Sequence, residues 1–308
     1  MKRAVSVSLG SSRRDKRVEI TLLGEPVILE RIGADGDIAR ATALYTSLDG
    51  KVDAFGMGGI DLSVGTARTA YPLGAARRLI RDVRQTPVVD GRGLKYTLER
   101  QSIRHMEAAL GAELHPKHVL VNVALDRYGM AQGLVEAGYE LVCGDLMFAL
   151  GIPIPLRSLR AVDRMAAVLA PLIGRFAPIH WLYPTGEKQH ESVPRFGRWY
   201  EWATVIAGDC CYTKRHMPAR LPGKTILTNT TTEADVATFR EAGVRYLVTT
   251  TPRFEGRTFG TNMLEAGLVA VAGKGRPLTR DELETLIAQL ELRPQIQELN
   301  PAEATDDD

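Results

Sequence analysis

The feature that most limits the fold is a series of six short apolar runs that begins near residue 118 and alternates with helical segments. The runs are VLVNVAL, YELVCGD, PIHWLYP, TVIAGD, TILTN and YLVTTTP, and the helical segments are GMAQGLVEAG, RAVDRMAAVLAPLI and TEADVATFREAG. Strands that alternate with helices pair in parallel through right-handed crossovers. The later part of the chain is therefore predicted to be a Rossmann-like, mainly parallel, doubly wound α/β domain.

The earlier part of the chain predicts a smaller α/β domain with a mixed sheet. AVSVSL is typical of a strand, VEITLLGEPVILERIG of an antiparallel hairpin, and VDAFGMGGID and PVVDG of further strands. Asp37 is the expected N-cap of the helix DIARATALYTSL. We place the N-terminal domain at residues 1–115, the larger C-terminal domain at 116–298, and a disordered acidic tail at 299–308.

Composition restricts the classes of function. Lys and Arg together number 39 and Asp and Glu 37, a balance that favours neither nucleic acid nor a membrane surface as partner. The three cysteines, Cys143, Cys210 and Cys211, match no disulfide framework and no zinc motif. No apolar stretch has the length of a membrane span, and the basic N-terminus is unlike a signal peptide. We expect a cytoplasmic protein that binds a small anionic molecule and no metal, and we allow for a homodimer.

Residues 119–145 have the strand–turn–helix–strand order of a dinucleotide-binding unit. Asp145 follows the second strand, where such units place an acid that binds a ribose hydroxyl. The turn contains Gly129 but no GxG, so a phosphate would be bound through the Arg127 side chain rather than by a glycine backbone. The candidate contacts to NAD or NADP are Arg127, Gly129, Asp145, Asn229 and Thr230. The alternative is a βαβ unit that binds no nucleotide.

Several loops carry groups suited to a small anion. The segment GSSRRDKR, residues 10–17, combines hydroxyl and guanidinium groups that bind carboxylate or phosphate, although a solvated hairpin loop is the alternative. Aspartates also follow strands, where ligands of open α/β sheets bind, but aspartates at such positions are common turn formers too. These strand-end aspartates are Asp61, Asp90, Asp145 and Asp209. The candidate substrate-binding residues are Ser11, Ser12, Arg13, Arg14, Asp61, Lys188 and Arg257. Residues 209–224, DCCYTKRHMPARLPGK, are expected to form a basic loop.

Over nearly its whole length the sequence resembles a group of bacterial proteins that carry the label quinate 5-dehydrogenase. The segments that carry the resemblance are AVSVSLGSSRRDKRVE, DGKVDAFGMGGIDL, VDGRGLKYTLER, YPTGEKQ and GRTFGTNMLEA. The resemblance implies oxidation of a ring alcohol on a small carboxylic acid, with NAD or NADP as the hydride acceptor. Quinate and shikimate dehydrogenases use a lysine and a downstream aspartate as the catalytic pair, and Lys95 with Asp126 is the nearest such pair here.

Other motifs of those dehydrogenases are absent from this sequence. Ser6-Val7-Ser8 is not followed by a His-Asn pair, and residues 125–133 contain no turn of the GAGG type. The leading function is an NAD(P)-dependent oxidoreductase acting on a hydroxylated, quinate- or shikimate-like carboxylic acid. The alternatives are a non-redox enzyme (a lyase or transferase) on a small anionic substrate and a non-catalytic metabolite-binding or sensor protein. The missing glycine fingerprint favours both alternatives.

Overall fold

A computed structural model describes residues 1–66, 69–176, 192–254 and 257–301. The protein belongs to the mixed α/β class, as predicted, and its chain forms two compact units made of non-contiguous segments. Unit 1 comprises Met1–Glu99, Arg160–Glu191 and Phe259–Leu292, and unit 2 comprises Arg100–Leu159, Ser192–Thr258 and Arg293–Asp308. The domain boundaries placed at 115/116 and 298/299 stay predictions. The predicted strand PIHWLYP and most of the predicted tail lie outside the described residues.

Among the described residues of unit 1, five strands form a sheet in the order β2-β3-β1-β4-β7. Strands β1, β3, β4 and β7 are mutually parallel, whereas β2 is antiparallel to β3. A separate two-stranded ribbon consists of β5 and β6. The bounds are β1 (Lys2–Ser8), β2 (Lys16–Leu22), β3 (Glu25–Gly33), β4 (Ala54–Gly58), β5 (Ser63–Gly65), β6 (Ala70–Pro72) and β7 (Val88–Val89).

The predicted hairpin is confirmed, because β2 and β3 are joined at Leu23 and Gly24, both with positive φ. Such a two-residue turn matches the right-handed twist of the strands that it connects. The carboxyl ends of β1, β4 and β7 lie along one edge of the sheet, since these strands are parallel neighbours.

Eleven α-helices lie within the described ranges. They are α1 (Ile38–Leu48), α2 (Gly74–Leu79), α3 (Arg92–Tyr96), α4 (Leu98–Leu110), α5 (Tyr128–Glu136), α6 (Leu159–Phe176), α7 (Gly197–Trp202), α8 (Cys210–His216), α9 (Glu233–Glu241), α10 (Thr261–Ala272) and α11 (Arg280–Gln289). Short 3₁₀ turns occur at Ser12–Arg14 and Gly111–Leu114, and a π turn at Asp145–Ala149. None of the described helices has both the length and the apolar character that a membrane span requires.

Helix α10 packs on β1, β3 and β4 and completes the core of unit 1. Nine of its residues are buried, so this helix is enclosed on nearly all sides rather than amphipathic. A Cβ atom on Gly267 would lie 2.9 Å from Cδ2 of Leu29, which is closer than van der Waals contact. Glycine at this position therefore allows α10 to approach the sheet closely.

In unit 2 the described strands form a sheet in the order β15-β12-β11-β10-β8-β9. All neighbours are parallel except β15, which is antiparallel to β12 and was not predicted. Since β9 and β10 flank β8 on opposite sides, the strand order changes direction between β8 and β10, where open α/β sheets bind ligands. The bounds are β8 (His118–Val121), β9 (Glu140–Cys143), β10 (Val205–Gly208), β11 (Thr225–Thr228), β12 (Tyr246–Thr249) and β15 (Gln295–Glu298), with a short hairpin of β13 (Arg253–Phe254) and β14 (Arg257–Thr258).

Local signals at helix ends agree with the structure in most places. Asp37 caps α1 by accepting a hydrogen bond from the Arg40 amide. Gly138 and Gly243, which end α5 and α9, have φ values of +84° and +83°. The prediction of a basic loop at 209–224 is wrong for its first half. Those residues form α8, because the Asp209 side chain accepts the Cys211 amide and caps a helix there.

Candidate functional site

Unit 1 contains a buried lysine–carboxylate pair. Lys95 belongs to α3, and its Nζ lies 3.1 and 3.0 Å from the two carboxylate oxygens of Asp61. The Lys95 and Asp61 side chains are only 7% and 14% exposed. Burial favours the neutral form of a lysine and a neighbouring carboxylate favours its ammonium form, so a lysine in such a pair can take part in proton transfer.

Asp90 holds the backbone on both sides of this pair. It follows β7, and its carboxylate accepts the amide N–H of Leu62 at 2.7 Å and that of Arg92 at 3.0 Å. Leu62 is the residue after Asp61, and Arg92 is the first residue of α3, the helix that carries Lys95. One buried carboxylate thus connects the two backbone segments that bring Lys95 and Asp61 together.

A second buried acid, Glu265 of α10, contacts the backbone of α3. Its Oε2 accepts the amide N–H of Leu94, the residue before Lys95, at 3.2 Å. Burial, and next the charge of Asp90, raises the pKa of Glu265 to about 8, although hydrogen bonds from the Leu94 and Gly93 amides oppose the shift. Glu265 is therefore mostly protonated at neutral pH.

An arginine and a tyrosine complete the cluster in unit 1. The guanidinium of Arg92 donates to Oγ of Ser63 at 2.9 Å and to the carbonyl of Thr66 at 3.0 Å, and lies 5.2 Å from the centre of the Tyr96 ring. The Tyr96 hydroxyl donates to the carbonyl of Gly65 at 3.1 Å, and burial raises the pKa of this phenol. These contacts tie the β5 segment to α3.

In unit 2 the polar residues beyond the strand ends form an ionic network. The buried guanidinium of Arg127 donates to Asp126 at 3.0 Å and to Asp209 at 3.1 Å. Asn229 donates to the same oxygen of Asp209 at 3.4 Å. The network lies at the carboxyl ends of β8, β10 and β11, where the strand order changes direction.

Asp145 is fully engaged with the turn that follows β8. Its two carboxylate oxygens accept the amide N–H groups of Ala124 at 3.0 Å and Leu125 at 2.8 Å. Burial raises the pKa of Asp145 to about 6 and the charge of Asp126 adds to this, whereas the two amide hydrogen bonds lower it. In this structure Asp145 stabilises the turn that precedes Arg127.

The two catalytic candidates from the sequence, Lys95 and Asp126, belong to different compact units, and their pairing stays a prediction. The carboxylate that the structure places on Lys95 within unit 1 is Asp61, which the sequence predicted as a substrate contact. Sequence reasoning missed Glu265, and it noted Asp90 only as one of several strand-end aspartates.

Of the candidate anion loop, Ser11 accepts the Arg13 amide at 3.2 Å, and the Ser12 amide donates to Asp35 at 2.6 Å. Arg13 and Arg14 lie in the 3₁₀ turn that follows β1.

The remaining candidates are placed as follows. Gly129 is the buried second residue of α5, and Thr230 follows Asn229 in the segment between β11 and α9. Lys188 and the side chain of Arg257 lie outside the described part of the chain. Within that part, no group of three or more His, Cys, Asp or Glu side chains is arranged to hold a metal ion.

The chain is a mixed α/β protein with a buried acid–base cluster, and its family follows from two profile matches. Residues 93–299 match the family described as "Domain of unknown function (DUF8754)", and residues 3–90 match the family described as "Domain of unknown function (DUF8753)". Since the first match spans most of the chain, the protein belongs to the DUF8754 family. No curated protein matches it significantly.

Solved structures show only distant likeness. An NAD-dependent malic enzyme from Thermotoga maritima is 15% identical, with a TM-score of 0.41 over 99% of this chain and 81% of that chain. The malic enzyme of Entamoeba histolytica is 12% identical, with a TM-score of 0.42 over 94% of this chain and 61% of that chain. A periplasmic ribose ABC transporter protein from Conexibacter woesei is 10% identical, with a TM-score of 0.34 over 91% of this chain and 88% of that chain. Because these TM-scores are below 0.5, we draw neither fold nor function from them.

Proposed function

We propose that this protein is an acid–base enzyme that acts on a hydroxylated small carboxylic acid. The observation that carries the proposal is the buried contact of Lys95 with both carboxylate oxygens of Asp61. In its neutral form Lys95 accepts the proton of the substrate hydroxyl, so that the O–H bond breaks and an N–H bond forms. Asp61 stabilises the ammonium group that results.

The substrate carboxylate is assigned to Arg13 and Arg14. Their turn follows β1, Asp61 follows β4, and these strands are parallel neighbours in one sheet. Loops that follow parallel neighbouring strands leave the same edge of the sheet, which supports a common binding region. Guanidinium groups bind carboxylates in two-point fashion, which orients a small acid.

Within this class, the first reaction that we propose is NAD(P)-dependent oxidation of a quinate- or shikimate-like acid. NAD or NADP would supply the hydride acceptor for this oxidation, and Lys95 would take the hydroxyl proton of the substrate. The resemblance to proteins labelled quinate 5-dehydrogenase supports this substrate. So does the presence of a lysine–aspartate pair, although its aspartate is Asp61 rather than Asp126.

The turn between β8 and α5 does not fit the pyrophosphate of such a cofactor in the described structure. Arg127 is already paired with Asp126 and Asp209, and both oxygens of Asp145 accept backbone amides. Three carboxylates thus accompany one guanidinium where a doubly charged pyrophosphate would lie. No step of the proposed reaction is assigned to this turn. The misfit favours a second candidate, a non-redox lyase or transferase that uses the same Lys95–Asp61 pair.

Turnover assays separate the two candidates. The protein is incubated with quinate or shikimate, with and without NAD or NADP. Formation of reduced nicotinamide is followed by absorbance, and loss of the acid by NMR. Lys51→Met, a variant of an exposed lysine, is the control. The dehydrogenase is supported if reduced nicotinamide forms with wild type and with Lys51→Met but not with Lys95→Met. Loss of the acid without cofactor reduction supports the non-redox enzyme. Turnover that survives in Lys95→Met, or no turnover of either acid by wild type, contradicts the proposal.

A further inference from the structure

Two buried acids, Asp90 and Glu265, contact the backbone directly beside the Lys95–Asp61 pair. Asp90 binds the amides of Leu62 and Arg92, and Glu265 binds that of Leu94. Both side chains belong to residues that are more than nine-tenths buried, at 7% and 5% exposure. Carboxyl groups at such depth are costly to maintain, so their positions call for an explanation beyond packing.

We propose that Asp90 and Glu265 are positioning residues for the Lys95–Asp61 pair, and that Glu265, when it loses its proton, adds a negative charge near Lys95 to that of Asp61. The inference rests on the function proposed above. It concerns groups that act through Lys95 and do not touch the substrate.

The role of Asp90 follows from the direction of its hydrogen bonds. Two amide donors at 2.7 and 3.0 Å converge on one carboxylate, from the residue after Asp61 and from the start of the helix that carries Lys95. The two amides bind different oxygens of Asp90, and an asparagine would present its NH₂ group to one of these two donors. Asp90→Asn is therefore expected to loosen the distance between Lys95 and Asp61.

The role of Glu265 follows from its surroundings. The groups that act on it are Asp90 after β7, Lys95 of α3, and the amides of Gly93 and Leu94. With a pKa raised by burial to about 8, Glu265 loses its proton in mildly alkaline solution and places a negative charge near Lys95. That charge favours the ammonium form of Lys95, which cannot accept a proton.

Gly93 makes the close approach of α3 to Glu265 possible. A Cβ atom at Gly93 would lie 2.8 Å from Oε1 of Glu265 and 2.4 Å from Cδ1 of Leu283. Any larger residue must displace both the carboxyl group of Glu265 and the end of the Leu283 side chain. Gly93, the second glycine of VDGRGLKY, thus allows Glu265 to lie next to the backbone of Lys95.

The test uses lysine labelled with ¹³C at the ε carbon, so that Lys95 is titrated directly by NMR and assigned with Lys95→Met. We expect Lys95 in Glu265→Gln to lose its proton at lower pH than in wild type, since the nearby negative charge is gone. Glu284 is a partly exposed glutamate of α11 and serves as the control. In Glu284→Gln, Lys95 should lose its proton at the same pH as in wild type. Equal Lys95 midpoints in wild type and Glu265→Gln would overturn the proposal for Glu265.

A second measurement needs no variant of Glu265 and covers the case in which Glu265→Gln does not fold. In wild type, the Lys95 resonance should shift at the pH where the ¹³C-labelled carboxyl of Glu265 titrates. If the Lys95 resonance does not change over the pH range in which Glu265 titrates, the proposed coupling between Glu265 and Lys95 is wrong. Neither measurement requires a substrate, so a protein inactive on every acid tested would defeat the proposed function while leaving this result intact.

For Asp90 the readout is the same Lys95 resonance together with the kinetic constants. Asp90→Asn should move the Lys95 midpoint and, where turnover is found, lower kcat more than it raises KM. An unchanged Lys95 midpoint and kcat in a folded Asp90→Asn protein would show that Asp90 is structural only.

Discussion

Arg127 and Asp209 form an ion pair of 3.1 Å that joins the turn after β8 to the start of α8, across 82 positions of sequence. The same Asp209 caps α8, and the same Arg127 also contacts Asp126. This pair links the two loops beside the point where the strand order of unit 2 changes direction. The pair therefore lies at the place where open α/β proteins bind ligands.

Arg127→Met removes the cation from this network and leaves Asp126 and Asp209 without it. We expect a loss of about 3 kcal/mol in the free energy of unfolding, at the low end for a broken buried pair because Asp209 is partly exposed. Urea unfolding followed by circular dichroism measures the change, with the exposed Arg220→Met as control. Equal stability of the two variants would contradict the importance of the network.

Asp145→Ala removes the acceptor of two buried amides in the turn after β8. Leaving those donors without a partner should cost about 2 kcal/mol or more in unfolding free energy. Asp145→Asn should cost less, because its carbonyl oxygen still accepts one amide. Glu241→Ala, on the exposed face of α9, is the control in the same urea experiment. An Asp145→Ala protein as stable as that control would argue against this function of Asp145.

Glu265→Gln should become more stable relative to wild type as the pH rises. The pKa of Glu265 is raised by burial from 4.5 to about 8 in the folded state. When the folded pKa of an acid lies above its unfolded value, the protein loses stability as the pH rises from the lower value to the higher one. Here that range runs from about pH 4.5 to pH 8, and above pH 8 no further stability is lost. The full window corresponds to at most about 5 kcal/mol. Unfolding at pH 5, 7 and 9 measures the difference, which should not change with pH for Glu284→Gln.

Lys95→Met separates the structural from the chemical contribution of the Lys95–Asp61 pair. The single variant leaves a buried carboxylate without its lysine and should cost about 3–5 kcal/mol in unfolding free energy. Lys95→Met combined with Asp61→Leu should recover most of that stability, because both charges are then absent. Both proteins should lack turnover. Activity in the stable double variant would exclude the pair from the chemistry.

The parts of the fold that were predictable depend on signals within a few residues. Gly24 marks the hairpin, Asp37 caps α1, and Gly138 and Gly243 end helices that run directly into strands. In each case the conformational preference of one or two side chains determines the local backbone. Alternation of strands and helices then predicts parallel pairing, which the structure confirms for β8 to β12.

The parts that were not predictable depend on contacts between distant segments. Glu265 is 171 positions from Leu94, and nothing local distinguishes this glutamate of α10 from an ordinary helical residue. The pairing of Asp61 with Lys95 required knowing that the loops after β4 and β7 are neighbours. Strand β15 was missed because QIQE is polar and has half-buried and exposed positions, unlike the apolar runs of the central strands.

The position of α10 in the chain has a consequence for synthesis on the ribosome. The strands of the first sheet are complete once Val89 has been translated, yet the helix that covers β1, β3 and β4 begins only at Thr261. During the intervening translation the nascent chain carries an apolar sheet surface without its covering helix, and such a surface is a binding site for chaperones. A polypeptide truncated before Thr261 would leave that surface permanently without its covering helix.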